Sequence, residues 1–387
     1  MGQSPSKIEE RYFLQKVKLG QGSFGIVRRA VDKRTGEVVA IKQLEKAHLR
    51  RRGLGREHVE REIALMKACS HDNVARLIET FEDAEHIYLA LEYCGGGDFG
   101  DKVRERGMDL PESEAADWMR QLCTAVAVLH SKRICHRDVK PDNFILQEKP
   151  DGGLLLKLSD FGCAVFLPWG KWLVERCGTP AFMSPELHLL PTKSRGYGFA
   201  ADIWALGVSM YMVMFGARHP FLDEKERVDE ELLTSGKLDF RVDPSERGFL
   251  GLGNISGLRY SEDARQFCQS MVDIDPLKRP IARDVARNKW LRKEYHQARD
   301  GWQSSLGSPT HSAHSALQSQ RSNGHYHPQR PPPGPPRSGA CSPQPRGRPC
   351  QPFVPPPRGQ GQQAAGQNES LSPVPVRMGT GGQVHRP

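Results

Sequence analysis

The chain has 387 residues, enough for one large domain or two small ones and for a sizeable core. Its net charge is +9, yet residues 301–387 hold eight Arg, no Lys and one acid (Glu369), which leaves about +2 for everything before them. So neutral a folded part argues against nucleic-acid binding. Nine cysteines without a CxxC pair, and no signal peptide, suggest a reducing, cytoplasmic setting rather than a disulfide framework.

Met1-Gly2-Gln3-Ser4-Pro5-Ser6 fits the N-myristoylation pattern. With no nearby cysteine for a second acyl chain, such an anchor on Gly2 would be reversible. YFLQKVKLG, GIVRRAV and VVAIKQL then read as strands divided by glycine-bearing turns. Leu19-Gly20-Gln21-Gly22-Ser23-Phe24-Gly25-Ile26-Val27 matches GxGxxGxV. Because β-branched residues follow its last glycine, it predicts strand–turn–strand, a flap whose N–H groups fold over phosphates. A dinucleotide fingerprint would need strand–turn–helix. Alternation puts Ala40 and Lys42 on one strand face.

In EHVEREIALMKAC, Val59, Ile63 and Met66 recur at helical spacing, and Glu62 lies on the same inward face. An inward carboxylate needs a partner, and Lys42 is the available cation. After the strand IYLALEY comes GGGDFGD, with one Asp-Phe-Gly at 98–100, opening the helix-like DKVRERG. Asp98 therefore suits a helix N-terminus.

From about residue 111 the pattern turns helical, with ADWMRQLCTAVAVLHS and, later, IWALGVSMYMVMFGA at 203–217. The latter is too short to span a bilayer and reads as a buried helix. Strands first and helices later give an α+β fold in two lobes. Between those helices stands His136-Arg137-Asp138-Val139-Lys140-Pro141-Asp142-Asn143, which gathers a carboxylate, a cation and an amide oxygen. Phosphoryl transfer uses those three as base, charge on the moving phosphate and magnesium ligand. A second Asp-Phe-Gly, at 160–162, follows the strand LLLKLS 17 residues after Asn143, so a hairpin can bring Asp160 beside Asp138. Asp160, not Asp98, is the expected metal ligand.

Over about residues 12–292 the chain resembles the eukaryotic protein kinases, and GTP (178–180), SPE (184–186), DIW (202–204) and Arg279 fit as well. Ser-Pro-Glu departs from the family's Ala-Pro-Glu but leaves a Glu186–Arg279 ion pair possible. Lys140 and Thr179 match the serine/threonine branch, and CGTP, REIALMKACSHDN and KPDN look most like the calcium/calmodulin-dependent group. The resemblance implies a kinase domain at 12–292, with a mainly β N-lobe (12–93) and a mainly α C-lobe (94–292). It implies ATP and Mg2+ as cofactors and protein serines or threonines as acceptors. Leu19, Gly20, Gln21, Gly22, Ser23, Phe24 and Gly25 would cover the phosphates. Val27 and Ala40 would pack on adenine, with Leu91 as gatekeeper and the Glu92 and Cys94 backbones at its edge. Lys42, held by Glu62, would bind the α- and β-phosphates. Asp138 would be the base, Lys140 would steady the γ-phosphate, and Asn143 and Asp160 would bind magnesium.

Asp98 and Asp142 fall where basophilic relatives meet substrate arginines. The resemblance places Glu175 where relatives carry an activating phosphothreonine, so a Glu175–Arg137 ion pair is expected, with Thr179 in the substrate platform. That would make the enzyme independent of activation-loop phosphorylation. The alternative is a catalytically idle kinase fold acting as an adaptor.

The remaining segments carry weaker signals. Residues 241–258 read as a glycine-rich surface loop suited to docking. KWLRKEYHQARDGW (289–302) is basic and partly amphipathic, but a kinase domain ends in such a helix, so calmodulin is the lesser reading. Residues 301–387 hold 17 of the 29 prolines and few aliphatics, which predicts disorder. Within them, residues 332–337 fit PxxPxR, a ligand for a Src-homology-3 domain. A monomer is expected.

Overall fold

A computed structural model of the chain describes residues 7–22, 25–241 and 258–297. The chain divides after Ser312 into two units, and all described residues lie in the first. The myristoylation signal, Ser23, Phe24, most of the 241–258 loop and the tail with its proline motif lie outside the described residues.

The β-branched runs form the expected strands: β1 (Tyr12–Gly22), β2 (Gly25–Asp32) and β3 (Val38–Glu45), followed by β4 (Leu77–Glu82) and β5 (His86–Glu92). They make one antiparallel sheet in the order β1-β2-β3-β5-β4. Register places Lys42 opposite Val27 on one side and Leu89 on the other. Both faces of β3 are buried. Leu44 faces the cluster that includes Leu89 and Val59, while Val39 and Ile41 pack with Ile8, Tyr12 and Tyr88.

That second cluster ties residues ahead of Tyr12 to the sheet. Residues 7–11 form a short helix, α1 (Lys7–Arg11), whose Ile8 is 1% exposed. Arg11 pairs with Asp32 and Glu79, pinning α1 to the sheet. Without it the outer face of β3 would meet water, and burying one isoleucine is worth about 1.5–3 kcal/mol. Residues 7–11 thus pack on the sheet just ahead of the expected domain start at residue 12. A second helix, α2 (Lys46–Arg51), follows β3 and leads into α3 (Arg56–Ala68), which carries Glu62 inward beside Val59 and Met66.

The C-lobe is built on α4 (Phe99–Arg106), α5 (Glu112–Ser131) and α7 (Ala200–Met214), with the short α6 (Pro185–His188) between the last two. Buried residues on α5 recur every three or four positions, from Ala115 through Met119, Leu122 and Val126 to Leu129. From Ala201 to Met214 every residue of α7 is buried, as its unbroken apolar run requires. Among the described residues, helices α8 (Glu230–Ser235), α9 (Glu262–Met271) and α10 (Ala282–Val285) follow. No described helix is long and apolar enough to cross a membrane. Trp290, from the basic 289–302 segment, is fully buried and donates to Glu112 at 2.8 Å, so this end of the segment serves the core.

Two two-stranded pairings shape the loops that carry the candidate site. β6 (Ile134–Cys135) pairs with β9 (Val165–Phe166), and β7 (Phe144–Glu148) with β8 (Leu154–Leu158). The β7–β8 hairpin carries the chain from Asn143 back to Asp160, as their spacing predicted.

Candidate active site

Lys42 is the centre of the charge arrangement. Its Nζ lies 2.7 Å from Glu62 Oε1 and 3.0 Å from Asp160 Oδ1, joining β3, α3 and the second Asp-Phe-Gly. Burial pulls the ammonium toward neutrality, but the Glu62 and Asp160 charges outweigh it and hold the pKa above the usual lysine range. The same ammonium holds the Asp160 carboxyl down to about 2, against the opposing effect of burial. Both groups are therefore ionised at neutral pH. Asp160 adopts a left-handed backbone (φ 56°, ψ 76°), while Phe161 beside it is buried edge-on to His136.

Asp138 is held from three sides. Thr179 donates to its Oδ1 through both the backbone N–H (2.7 Å) and the hydroxyl (2.8 Å). Asn143 Nδ2 donates to Oδ2 at 2.9 Å and to the Asp138 carbonyl at 2.7 Å. Lys140 Nζ lies 3.1 Å from Oδ2 and also donates to the Thr179 hydroxyl. Burial raises the Asp138 pKa, yet Lys140, Thr179 and Asn143 bring it below the ordinary carboxylate value, so the group is an available base.

The loop carrying Asp138 is braced from α7. Fully buried Asp202 accepts backbone N–H bonds from His136 and Arg137, each at 2.8 Å, and contacts His130 Nε2 at 2.8 Å. Arg137 sits at φ 67°, a left-handed conformation held by those two bonds. Further down, Arg279 grips Glu186 with two bonds of 2.8 and 2.9 Å, so the serine in Ser-Pro-Glu leaves that ion pair intact.

The glycine flap is a hairpin, with Gly20 opposite Val27 and Gly22 opposite Gly25. A side chain at Gly25 would stand 2.0 Å from the Gln43 carbonyl, so glycine is obligatory there. Leu19 and Gln21 are exposed on β1, Ala40 is buried opposite Leu91, and Cys94 is half-buried just after β5. Burial, with the Glu92 charge, pushes the Cys94 thiol up to about 12, leaving it a poor nucleophile. The Glu92 carboxylate is occupied by Lys157 (3.2 Å) and the Arg76 N–H (2.7 Å).

Each residue of the other Asp-Phe-Gly has structural work instead. Asp98 Oδ1 caps α4 by accepting from the Asp101 N–H at 2.7 Å. Phe99 is fully buried, edge-on to Trp118. A side chain at Gly100 would come within 2.7 Å of Asp142 Oδ1, so glycine lets α4 approach the catalytic loop. Arg104 joins the carboxylates, lying 2.7 Å from Asp101, 3.4 Å from Asp142 and 3.7 Å from Asp98.

Two expectations are overturned. Glu175 does not pair with Arg137: its side chain is exposed. Arg137 instead donates to the Cys163 carbonyl at 2.5 Å and to the Tyr197 hydroxyl at 3.3 Å, and that hydroxyl donates to the Glu175 carbonyl at 2.7 Å. A tyrosine hydroxyl can both accept and donate, so it bridges a cation to a carbonyl, which a glutamate cannot do. Nothing in the sequence around Tyr197 marked it. In addition, Cys163 and Cys177 form a disulfide, with Cα atoms 6.1 Å apart. Fourteen positions separate them in sequence, and only the return of the loop onto Arg137 brings them together.

The hard oxygen donors of Asp160 and Asn143, the cationic Lys42 and the hairpin flap fit a magnesium–nucleotide pair. Magnesium takes one or two protein oxygens and completes its shell with phosphates and water. No cluster of three or more metal-binding side chains occurs among the described residues.

A β-rich lobe presenting a lysine–glutamate pair, set against a helical lobe presenting Asp138, Asn143 and Asp160, defines a phosphotransferase of the kinase class. Residues 13–291 match the protein kinase domain, and the chain belongs to that family. Its relatives place it with the serine/threonine kinases of the calcium/calmodulin-dependent type. It is 34% identical over 288 residues to calcium-dependent protein kinase 10 of Arabidopsis thaliana, covering 74% of this chain and 49% of the relative. It is 35% identical over 289 residues to CBL-interacting protein kinase 9 of Oryza sativa subsp. japonica (74% and 57%) and 33% identical over 292 residues to serine/threonine-protein kinase DCLK3 of Mus musculus (75% and 34%). The chain spans between 34% and 57% of the length of these three relatives.

Proposed function

We propose that the protein transfers the γ-phosphate of ATP to serine or threonine hydroxyls of protein substrates. The observation that carries this is Lys42, poised between Glu62 and Asp160 at 2.7 and 3.0 Å, in the same site as an ionised Asp138. Magnesium–ATP supplies the activated phosphoryl group and its charge neutralisation. The chain's own residues orient and deprotonate. Lys42 presents its charge to phosphate oxygens because Glu62 fixes it. Asp138, aligned by Thr179 and Asn143, accepts the acceptor hydroxyl's proton, and Lys140 offers its charge 3.1 Å away. The test compares peptide phosphorylation by the purified protein and by Asp160→Asn. Equal signals would reveal a contaminant, and silence from both would favour the idle adaptor.

Two finer features go with this reading. A preference for arginine two or three residues before the acceptor is supported by Asp98 and Asp142, which Arg104 brings to one place. A substrate guanidinium would have to displace Arg104, whose half-exposed ion pairs are weak. Independence from activation-loop phosphorylation is supported by Arg137 being satisfied through Tyr197 and Cys163. The loop's two hydroxyl residues fit as well, since Thr179 is committed to Asp138 and Ser184 is fully buried. For location we keep the cytoplasm, with reversible membrane attachment through Gly2.

A further inference from the structure

Cys163 follows Gly162 of the second Asp-Phe-Gly directly, and Cys177 directly precedes Gly178. Their disulfide therefore ties the two ends of the loop 164–176. It runs alongside a polar bridge between the same two ends. Arg137 binds the Cys163 carbonyl and, through the Tyr197 hydroxyl, the Glu175 carbonyl two residues before Cys177. Two residues beyond Cys177, Thr179 holds Asp138. Both bridged cysteines are partly exposed, whereas four of the five other described cysteines are buried and unpaired. Exposed disulfides are the ones that exchange readily.

We propose that Cys163–Cys177 is a redox modification site: the bridged form holds the activation segment on Asp138 in its working shape, and the dithiol form releases it. The regulatory part of this rests on the kinase reading above. Release begins when a thiolate, from glutathione or a dithiol protein, attacks one sulfur, forming a mixed disulfide and expelling the other cysteine as a thiolate that takes up a proton. A second thiolate displaces the first cysteine in the same way. Overall, two electrons and two protons pass to the pair, and the reductant leaves as its own disulfide. Glutathione disulfide runs the exchange backwards and closes the bridge.

Closing a loop of about this length biases a chain segment toward its ordered form by roughly a hundredfold. Arg137 and Tyr197 remain after reduction and keep part of that order. The expected loss of kcat is therefore about tenfold, with the KM for ATP unchanged because Lys42, Glu62 and the flap lie outside the loop. The bridge thus does for this segment what an added phosphate does when it pairs with an arginine.

The experiment equilibrates the full chain in glutathione buffers of varied ratio, quantifies the bridged peptide by alkylation and mass spectrometry, and measures kcat and trypsin cleavage at exposed Lys171 on the same samples. Bridged fraction and kcat should rise together, and cleavage at Lys171 should be at least several-fold faster in the dithiol form. Cys163→Ser and Cys177→Ser should each match the reduced wild type and ignore glutathione disulfide. If either variant fails to fold, the reduced wild type alone decides the outcome. No bridged peptide at any ratio, or equal kcat and equal cleavage in both forms, would overturn the assignment. Absence of phosphorylation in both forms would instead remove the kinase reading, and the Lys171 cleavage rates would still decide whether the bridge holds the loop.

Discussion

Replacing Glu186 with alanine should destabilise the C-lobe by about 3 kcal/mol. Arg279 is wholly buried and gives Glu186 two parallel bonds of 2.8 and 2.9 Å, so the truncation strands a buried cation. Breaking such a pair from one side costs about 3–5 kcal/mol. The lower end applies here because the guanidinium keeps the Asp273 carbonyl at 2.7 Å, the Ala200 carbonyl at 3.0 Å and the Trp204 ring at 5.0 Å. For a domain of this size each kcal/mol moves Tm by about 2–4 °C, so thermal unfolding should fall by about 6–12 °C. Circular dichroism on the single variants and on Glu186→Ala/Arg279→Met makes a double-mutant cycle. The double variant should recover about 2 kcal/mol relative to the sum of the singles, since no charge is left stranded. A Tm drop below about 2 °C, or strict additivity, would refute the reasoning.

Glu175→Arg should leave kcat unchanged within about twofold in a peptide assay, because that side chain is exposed and free of Arg137. Tyr197→Phe should cost about 1–3 kcal/mol in a denaturant titration and lower kcat, since Arg137 and the Glu175 carbonyl both lose a buried partner. Ile8→Ala should cost about 2–4 kcal/mol, also read by denaturant, whereas a domain starting at residue 12 would not notice the change. Asp160 has its carboxyl held near 2 in the folded protein against about 3.9 when unfolded, so its contribution is complete above pH 4 and is lost as pH falls toward 2. Tm followed from pH 5 to 2.5 should therefore fall less steeply in Asp160→Asn than in the wild type.

Local sequence carried the strands, the buried α7 and the flap, because β-branched runs and apolar periods act over a few residues. It also separated the two Asp-Phe-Gly copies correctly in their surroundings: the first caps α4 and fills the core, while the second reaches Lys42. The short helix ahead of residue 12 was not legible, for an equally physical reason. Five residues of α1 show no period long enough to read, and the burial of Ile8 depends on a sheet face to which Ala30, Val39, Ile41, Tyr88 and Ala90 contribute from far along the chain. Charge pairing was legible from the residues where burial dictated one partner, as for Glu62 and Lys42, and from the family resemblance for Glu186 and Arg279. Around Arg137 the choice was open, because a guanidinium with five N–H donors can donate equally well to a carboxylate, a carbonyl or a hydroxyl oxygen.

The activation segment shows what decides that choice. A glutamate at 175 could offer Arg137 charge, but it would add a fourth carboxylate to a site where Asp202, Asp138 and Asp160 are already ionised. A neutral hydroxyl from Tyr197 avoids that repulsion and fastens the Glu175 main chain at the same time. Once the carbonyl of 175 is fixed there, the next turn of chain delivers Cys177 to Cys163 and then Thr179 to Asp138. The order of these contacts makes Tyr197 the support of the loop and the disulfide its fastening. Loss of the hydroxyl should therefore weaken both the bridge and the base, and Tyr197→Phe should need a more oxidising glutathione ratio to close Cys163–Cys177. An unchanged ratio would mean that the two clamps act independently.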